Sequence, residues 1–258
     1  MNHIKQNIRN SFGKNVDGYV AHGNVQKKVA RILFDQVREQ ADAHDIKRVV
    51  ELGCGTGFLS EYVVNYFKDA QHFVSDLSCK MAKRCRTNLF NIRANYFVCD
   101  GEELPFEKNF RTNLLVANMA LHWFQKFETS IQNLSKITDM FAFSIPVQGT
   151  FKAWTQAHET LGIRNRMIPF LSISELETIL SKIKPKKLSI KVVRLLHPAN
   201  STLAFLRHLK VIGASTNTDP TMPPYTTTEL KNLCHMVDKH YRTGIVNYEI
   251  AICVLENT

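Results

Sequence analysis

The stretch that decides the fold is VVELGCGTGF, Val49–Phe58, which joins an apolar run to a segment with helical spacing, LSEYVVNYF. Glycines at positions 53, 55 and 57 allow backbone conformations closed to other residues and a close approach to a ligand. The N-terminus of the following helix would present free N–H groups to an anionic group. The stretch therefore predicts a β-to-α turn that binds a cofactor; the alternative is a tight connection with a structural role only.

The spacing of the glycines argues against a dinucleotide. A dinucleotide turn reads G-x-G-x-x-G, whereas the sixth place counted from Gly53 is Phe58. Glu51 lies in the turn, and no Lys or Arg occurs between Val49 and Tyr66 to balance a pyrophosphate. S-adenosylmethionine has no phosphate and carries an ammonium, a sulfonium and one carboxylate. The turn therefore favours S-adenosylmethionine, with S-adenosylhomocysteine as the product, over NAD.

Composition sets broad limits on the protein. The chain has 258 residues, 44% of them hydrophobic, which suffices for one large α/β domain. The polar N-terminus, MNHIKQNIRN, and the absence of a long apolar run predict neither a signal peptide nor a membrane helix. Six cysteines without a C-x-x-C pair predict reduced thiols in a cytoplasm and no metal site. A net charge of +10 predicts an acidic partner, unless the charges are only solvated.

Apolar runs and helical segments alternate from Arg48 onward, as expected of β-α-β units in a parallel sheet. The residues before them have helical spacing at Val25, Val29 and Ile32 and predict helices packed outside the sheet. We predict strands at about 47–53, 71–76, 95–99, 112–118, 140–145, 188–196 and 248–256. We predict helices at about 57–68, 78–90, 126–137, 151–161, 174–183, 202–213 and 227–242, with a proline-rich loop, STNTDPTMPPYTT, before the last.

Three side chains at or after the ends of the second and third predicted strands are further candidates to contact the cofactor. Asp76 ends the strand FVSD, where its carboxylate could accept both ribose hydroxyl hydrogens; alternatively it is a helix N-cap, a role Ser78 could also fill. Met81 would lie against an adenine face or pack in the core. Asp100 would accept the adenine amino group, unless the Asp-Gly pair with Gly101 only forms a turn.

Taken together, the motifs ELGCGTG, DLS, CDGEELPF and LLVANMALHWF resemble those of class I S-adenosylmethionine-dependent methyltransferases. The resemblance implies an α/β fold with a Rossmann-like seven-stranded sheet, helices on both faces, an N-terminal helical cap and a helical lid insertion. It implies a single domain with a cap (1–44), a nucleotide-binding core (45–146), lid elements (about 147–185 and 197–228) and strands that complete the sheet (186–196 and 245–258). Its implied cofactor-binding residues in the core are Glu51, Gly53, Cys54, Gly55, Gly57, Asp76, Leu77, Met81, Asp100, Gly101 and Asn118.

The end of the fourth predicted strand, ANMALHW, usually shapes the acceptor site of such enzymes. Methyltransferases acting on exocyclic base nitrogens typically carry D/N-P-P-Y/F where this chain has Asn118-Met119-Ala120-Leu121. Cytosine C5 methylation would need a cysteine next to a proline, and none of the six cysteines has one. Both base chemistries are therefore disfavoured.

Five stretches in order from about Ile8 to Leu255 resemble a narrower family, the malonyl-acyl-carrier-protein O-methyltransferases of biotin synthesis (BioC). They are SFGKNVDGYVAHGNVQKKVA, ELGCGTGFLSEYV, NMALHWF, FSIPVQGTFKAWTQA and LRHLKVIGAS. The most specific are Val147-Gln148-Gly149 and the Leu206–Lys210 helix. Two departures, KITDMF in place of a Pro-Gly turn and His122-Trp123 in place of Gln-Trp, leave the cofactor motifs intact but bear on the acceptor pocket.

The family resemblance implies methylation of the free carboxylate of malonyl-acyl-carrier protein, which needs no general base because that carboxylate is already ionised. A cation should fix the carboxylate, and the candidates are Arg166, Arg207 and Lys210, the last two on one helix face. Each is otherwise a solvated surface charge. His122 is a further candidate donor, or else a structural residue.

Three residues of the predicted cap have candidate roles at the methionyl end of the cofactor. Tyr19 and Phe12 would close over it, and Gln26 would hydrogen-bond there; the alternative for the two aromatics is core packing. Tyr19 is also a candidate to position the substrate. These residues precede the glycine turn, so only the fold could bring them to it.

The implied partner is an acidic carrier protein bearing malonyl, with malonyl-coenzyme A as a further possible substrate and nucleic acid disfavoured. The stretch SKIKPKKLSIKVVR holds six Lys or Arg between Lys182 and Arg194 and no acid, which suggests a docking patch. Pro185 predicts a helix end leading into a strand. Two alternatives stay open: a methyltransferase acting on RNA or another small carboxylic acid, and a cofactor-binding assembly protein without turnover.

Overall fold

The structure is a computed structural model and describes residues 2–41, 45–90, 93–215, 222–240 and 245–257. Seven strands in these ranges form one sheet in the order β3-β2-β1-β4-β5-β7-β6. The strands are β1 (Arg48–Leu52), β2 (Gln71–Asp76), β3 (Asn95–Val98), β4 (Thr112–Asn118), β5 (Thr138–Pro146), β6 (Lys187–Pro198) and β7 (Ile245–Glu256).

The first five strands are parallel, and β7 is antiparallel to both of its neighbours, β5 and β6. The strand order reverses between β1 and β4, since the chain builds outward from β1 in one direction and from β4 in the other. In open α/β sheets ligands bind at the carboxyl ends of the strands beside such a reversal. A ligand is therefore expected to bind beside the residues that follow Leu52 and Asn118.

Helices before and between the strands agree with the predicted segments to within a few residues. The helices are α1 (His3–Lys14), α2 (Val16–His22), α3 (Asn24–Ala41), α4 (Ser60–Tyr66), α5 (Cys79–Asn88), α6 (Phe127–Lys136), α7 (Lys152–Leu161), α8 (Ile173–Ser181), α9 (Thr202–Val211) and α10 (Thr227–His240), with a 3₁₀ turn at Leu121–Trp123. The largest difference is α4, which begins at Ser60 rather than at residue 57 because residues 55–59 form turns. Residues 216–221 of the predicted loop and the predicted last two residues of α10 lie outside the described residues.

Two apolar layers cover the sheet, as the alternation along its strands requires. On β5, Met140 and Ala142 face α3 and α4, whereas Phe141 and Phe143 face α6 and α8. These core positions are almost fully inaccessible to solvent. The seven-stranded sheet with helices on both faces confirms the predicted fold class, while the division into cap, core and lid stays a prediction.

The basic stretch predicted as a docking patch occupies the end of α8 and the edge strand β6, with Pro185 between them. Lys187 pairs in register with Glu256, which also pairs with Met140 near the start of β5. Most of the patch therefore lies at the end of the sheet opposite the carboxyl ends of the parallel strands. From Lys187 to Pro198 the strand extends about 36 Å at about 3.3 Å per residue.

Membrane helices, cysteines and metal-binding clusters each bear on function. Within the described ranges no helix is long and apolar enough to cross a bilayer. The six cysteines are free thiols. No group of three or more His, Cys, Asp or Glu side chains in the described part of the chain could hold a metal ion.

Candidate active site

The glycine turn after β1 adopts left-handed conformations at all three glycines, with φ of 66° at Gly53, 55° at Gly55 and 100° at Gly57. A Cβ on Gly53 would lie 2.4 Å from Cβ of Ala120, so a side chain there would collide with the segment that follows β4. The turn thus needs glycine both for its dihedral angles and for the close approach of β1 and β4.

Asp76, at the end of β2, supports this turn through both carboxylate oxygens. Oδ2 accepts a hydrogen bond from the Gly55 N–H at 2.9 Å, and Oδ1 accepts one from the Ser78 N–H at 2.7 Å. Ser78 is the N-cap of α5, because its Oγ accepts from the Met81 N–H; the N-cap alternative for Asp76 is therefore wrong. Burial raises the pKa of Asp76 to about 6.

A cavity of about 100 Å³, which we call the first cavity, opens at these strand ends. It brings together most of the sequence-predicted cofactor residues. Those that line it are Phe12, Tyr19, Gly53, Gly55, Asp76, Leu77, Met81, Asp100, Gly101 and Asn118.

Four predicted cofactor residues are not among the lining residues: Gln26, Glu51, Cys54 and Gly57. Glu51 is 2% exposed, and its burial raises the pKa of its carboxyl to about 7, although hydrogen bonds with Ser60 lower it. Cys54 packs in a small apolar cluster with Cys85. A Cβ on Gly57 would lie 3.1 Å from Sγ of Cys85, so this glycine allows close packing on α5. The side chains of Glu51 and Cys54 thus lie behind the turn, and the missing side chain of Gly57 lets it pack on α5.

Lys5 is a first-cavity residue that the sequence did not indicate. Helix α1 carries its ammonium to the carboxylates of Asp100 and Glu102, both largely buried. The other Asp100 oxygen accepts from the Glu102 N–H at 3.0 Å. Glu102 also accepts from the backbone of Gln125 and Lys126. One oxygen of Asp100 is thus engaged by the cap, and its role toward an adenine amino group stays a prediction.

A larger cavity of about 370 Å³, the second cavity, adjoins the first. Four residues line both: Phe12, Tyr19, Met119 and Trp123. Met119 has φ of 52°, which is rare for a residue with a long side chain, and its N–H donates to the Ser144 backbone and hydroxyl. Strained backbone of this kind concentrates at functional sites. The end of β4 is thus the junction of the two cavities.

The wall of the second cavity is mostly aromatic and aliphatic, with Arg166 as the only charged residue among the described residues that line it. Arg166 Nη2 lies 3.3 and 3.4 Å from the two carboxylate oxygens of Glu229, and its guanidinium lies 3.9 Å from the ring centroid of Tyr225. Its Nε and Nη1 are buried and have no hydrogen-bond partner in the structure. Two unsatisfied guanidinium nitrogens beside an apolar cavity are an anion-binding arrangement.

Tyr225 fixes the segment that carries Arg166. Its hydroxyl accepts from the Arg166 N–H at 3.1 Å and lies 2.8 Å from Nε2 of His158. His158 is itself held by the Trp154 carbonyl, 2.7 Å from its Nδ1. Neither Tyr225 nor His158 carried a sequence signal, because their roles depend on contacts between α7 and the segment before α10.

The remaining predicted acceptor residues divide between the cavity and the surface. His122 lines the second cavity; burial lowers its pKa to about 3, and its Nδ1 has no partner in the structure. Gln26 also lines it, with Oε1 unpartnered, but does not line the first cavity. Arg207 and Lys210 share an exposed helix face and are not among the residues that line the second cavity; their role toward the substrate carboxylate stays a prediction.

Comparisons with known proteins agree with this geometry. Residues 49–139 match the model of a family described as a methyltransferase domain. The malonyl-[acyl-carrier protein] O-methyltransferase of Priestia megaterium is 28% identical over 83% of this chain and 83% of its own length. The protein of that name from Brevibacillus brevis is 27% identical over 82% of this chain and 80% of its own length.

The chain is an S-adenosylmethionine-dependent methyltransferase.

Three further proteins are similar to this methyltransferase. The biotin biosynthesis bifunctional protein BioCD of Bordetella avium is 27% identical over 95% of this chain and 51% of its own length. The crystal structure of YcgJ from Bacillus subtilis has a TM-score of 0.61 at 11% identity, covering 88% of this chain and 99% of that one. The plantazolicin methyltransferase BpumL, crystallised with S-adenosylhomocysteine, has a TM-score of 0.57 at 13% identity, covering 99% and 97%. At these identities the structures show the common fold.

The first cavity of this methyltransferase fits the cofactor in its charge and its open acceptors. Its charged lining residues among those described are Lys5, Asp76 and Asp100, an acidic balance suited to a cofactor with a sulfonium and an ammonium. Each Asp76 oxygen accepts one backbone N–H and keeps a lone pair for a hydroxyl hydrogen. The ring of Tyr19 lies within 4 Å of where a Gly55 side chain would project, so the glycine leaves the turn open beneath the cap.

Proposed function

We propose that this methyltransferase transfers a methyl group from S-adenosylmethionine to the free carboxylate of malonyl-acyl-carrier protein. The product would be the malonyl methyl ester that primes pimeloyl and biotin synthesis. Relatives named for this reaction match over most of the chain, and the sequence contains the family's stretches in order. Free malonyl-coenzyme A is a further candidate substrate.

The main support for the proposal is the guanidinium of Arg166 at the second cavity. Among the described residues, one cation lines the mostly apolar cavity next to the cofactor cavity, and two of its nitrogens have no hydrogen-bond partner there. A carboxylate is the ligand whose geometry matches a guanidinium, because two parallel hydrogen bonds can form between them. An acetyl group in the same place would offer no such partner. The cavity therefore distinguishes malonyl from acetyl by charge.

The proposed reaction needs little acid–base chemistry from the protein. A malonyl carboxylate with a pKa of roughly 4 is ionised at neutral pH and can act as the nucleophile directly. S-adenosylmethionine, when bound, supplies a methyl group on a positively charged sulfur, and its transfer to the carboxylate oxygen leaves a neutral thioether and an ester with no proton to move. His122 stays neutral because burial holds its pKa near 3, so it is placed to donate one hydrogen bond rather than to carry a charge.

Alignment is then the main contribution of this chain. Phe12, Tyr19, Met119 and Trp123 lie at the junction of the two cavities and would exclude water from the reacting atoms. Tyr19 stacks on Phe58 with ring centroids 5.4 Å apart, and Phe12 lies edge-on to Trp123 at 5.5 Å. Well-oriented reactants can gain several of the ~7–11 kcal/mol attributed to proximity.

The aromatic wall of the second cavity also favours one alternative acceptor, another small carboxylic acid. Such an acid would use Arg166 in the same way but would need no carrier. An RNA acceptor has less support, because a single cation lines the cavity among the described residues. A cofactor-binding assembly protein would not need two adjoining cavities that meet at a strained residue.

Complementation tests the proposal in cells. Expression of the chain in a biotin auxotroph that lacks its malonyl-carrier methyltransferase should restore growth without biotin. Asp76→Ala, expressed to the same level, should not restore it. The contrary outcome is that cells expressing either the wild-type chain or Asp76→Ala both still need biotin, while the purified wild-type chain methylates a different acid. That result would overturn the malonyl assignment and leave the enzyme class intact.

A further inference from the structure

Helix α9 separates the second cavity from solvent and has two chemically different faces. Phe205, Leu206 and Leu209 line the cavity from its inner face. The opposite face carries Leu203, Arg207, Lys210 and Val211, whose spacing places them on one side of the helix. We call these four residues the α9 surface. Helix α9 thus contacts the second cavity with one face and solvent with the other.

The α9 surface combines exposed apolar side chains with basic side chains that form no ion pair with a described residue. Leu203 is 40% exposed and Val211 is 39% exposed, and both are among the few large hydrophobic residues at the surface. Arg207 and Lys210 are exposed, and neither forms an ion pair with any residue that the structure describes. Basic side chains beside exposed aliphatic ones match a protein surface with acidic residues around an apolar patch.

The backbone of α9 is held firmly at both ends. At its start, Ser201 Oγ accepts from the Ala204 N–H, and Asp238 of α10 accepts from the Thr202 N–H and hydroxyl at 2.7 and 2.6 Å. At its end, Gly18 of α2 packs so closely that a Cβ there would lie 2.3 Å from the Val211 carbonyl oxygen. The surface is therefore presented in a fixed position over the cavity.

We propose that the α9 surface is the docking site of the acidic carrier protein that delivers the acyl thioester. The inference rests on the proposed function and places its partner on this enzyme. Arg207 and Lys210 would pair with carboxylates of the carrier, and Leu203 and Val211 would contact its apolar patch. The acyl group would then enter the cavity that the inner face of the same helix lines.

The basic patch of β6 is the natural comparison, because it has more positive charge in a different place. Two of its residues are already paired, Lys182 with Glu128 and Arg194 with Glu249. The unpaired Lys186 and Lys187 are exposed and lie near the opposite end of the sheet from the cavities. They provide a matched control for net charge.

The experiment compares two charge reversals of equal size, Arg207→Glu with Lys210→Glu and Lys186→Glu with Lys187→Glu. For each protein, kcat/KM is measured with malonyl-carrier protein and with the carrier-free N-acetylcysteamine thioester of malonate. We expect the ratio of the two values to fall at least tenfold in the α9 double variant and less than twofold in the β6 variant. Equal losses in both variants, or an unchanged ratio in both, would overturn the docking site.

Binding measured without turnover separates docking from chemistry. The anisotropy of a dye-labelled malonyl-carrier protein should show binding to the wild type and to the β6 variant, and at least tenfold weaker binding to the α9 variant. This pattern without methyl transfer would support docking and contradict the proposed reaction. Methyl transfer with equal carrier affinity in all three proteins would support the reaction and contradict docking. Far-UV circular dichroism confirms that each variant folds.

Discussion

The two adjoining cavities differ in the elements that build them and in the sign of their charge. The first lies at the ends of parallel strands and is lined by two carboxylates, one lysine and the glycine turn. The second lies under α9 and between the helices that follow β5, and it has an aromatic wall and a single arginine. They meet at four shared residues. Under the proposed function, the acidic first cavity would hold the cationic methyl donor, the second cavity with Arg166 would hold an anionic acceptor, and water would be excluded where the two meet.

The largest expected effect that would break this comparison is on the acceptor side. Arg166→Ala should lower kcat/KM for malonyl-carrier protein about 100-fold, because hydrogen bonds to a charged group contribute up to about 3 kcal/mol. Arg166→Lys should recover part of the loss but not all of it, since an ammonium cannot form the parallel pair of bonds. Steady-state kinetics with both variants measures the two losses.

Cofactor affinity is the control for these variants. Calorimetry should give a dissociation constant for S-adenosylhomocysteine within about twofold of the wild-type value, because Arg166 does not line the first cavity. If affinity for the cofactor fell as much as kcat/KM, the two cavities would not be separate in function.

The matching change on the cofactor side is Asp76→Asn, which keeps the shape but loses one acceptor oxygen. We expect S-adenosylhomocysteine to bind about 10- to 30-fold more weakly, from about 1.5–2 kcal/mol of lost hydrogen bonding. Carrier affinity, measured by anisotropy, should stay unchanged. Unchanged cofactor affinity by calorimetry would mean that Asp76 only supports the turn through the Gly55 and Ser78 N–H groups.

The contrast between the cavities also explains what the sequence could predict. The glycine turn, Asp76 and Met81 follow strand ends, and parallel strands bring such residues together whatever the rest of the chain does. Arg166 was a candidate from the family resemblance. The contacts that hold it were not, because Tyr225 lies 59 residues from Arg166 and 67 from His158, and no local pattern encodes that packing. Glu51 does not line the first cavity, since an acid inside such a motif can support the turn from behind; its role as a cofactor ligand stays a prediction.

Helical periodicity predicted only part of how α9 contributes to the second cavity. It placed Arg207 and Lys210 on one face of α9 but did not say which face meets the cavity. The neighbouring Phe205, Leu206 and Leu209 decide that, because apolar residues occupy the inner face. Lys5 was missed altogether, since a lysine near the N-terminus is ordinarily a solvated charge.

The pH dependence of cofactor binding would sharpen the role of Asp76. With its pKa raised to about 6 by burial, its carboxylate is ionised at pH 7.5 and becomes protonated as the pH falls through 6. Protonation replaces an acceptor with a donor, so affinity for S-adenosylhomocysteine should fall by up to about tenfold per pH unit below 6. Calorimetry between pH 5 and 8 measures the profile. Asp76→Asn should flatten it; a decline that persists in that variant belongs to another group.

The smallest effect on binding is expected for Glu51→Gln, which instead changes stability. Since burial raises the pKa of Glu51 in the folded state to about 7, folding takes up a proton between the unfolded value and 7, and stability falls as the pH rises through that window. Removing the charge should raise the free energy of unfolding on the order of 2 kcal/mol at pH 8 and leave it nearly unchanged at pH 4. Urea unfolding at the two pH values measures this difference.

Cofactor affinity gives the other half of the Glu51 comparison. Because Glu51 does not line the first cavity, Glu51→Gln should bind S-adenosylhomocysteine within about threefold of the wild type. A loss as large as that of Asp76→Asn would place Glu51 at the ligand after all.

Methyl transfer to two matched carriers tests most directly whether the acceptor cavity selects a free carboxylate. Purified protein is incubated with methyl-labelled S-adenosylmethionine and either malonyl- or acetyl-carrier protein, and label on the carrier is counted before and after mild base. We expect base-labile label on malonyl-carrier protein and at least 100-fold less on acetyl-carrier protein, since only malonyl offers a partner for Arg166. Equal labelling of both carriers, or label on neither, would contradict it.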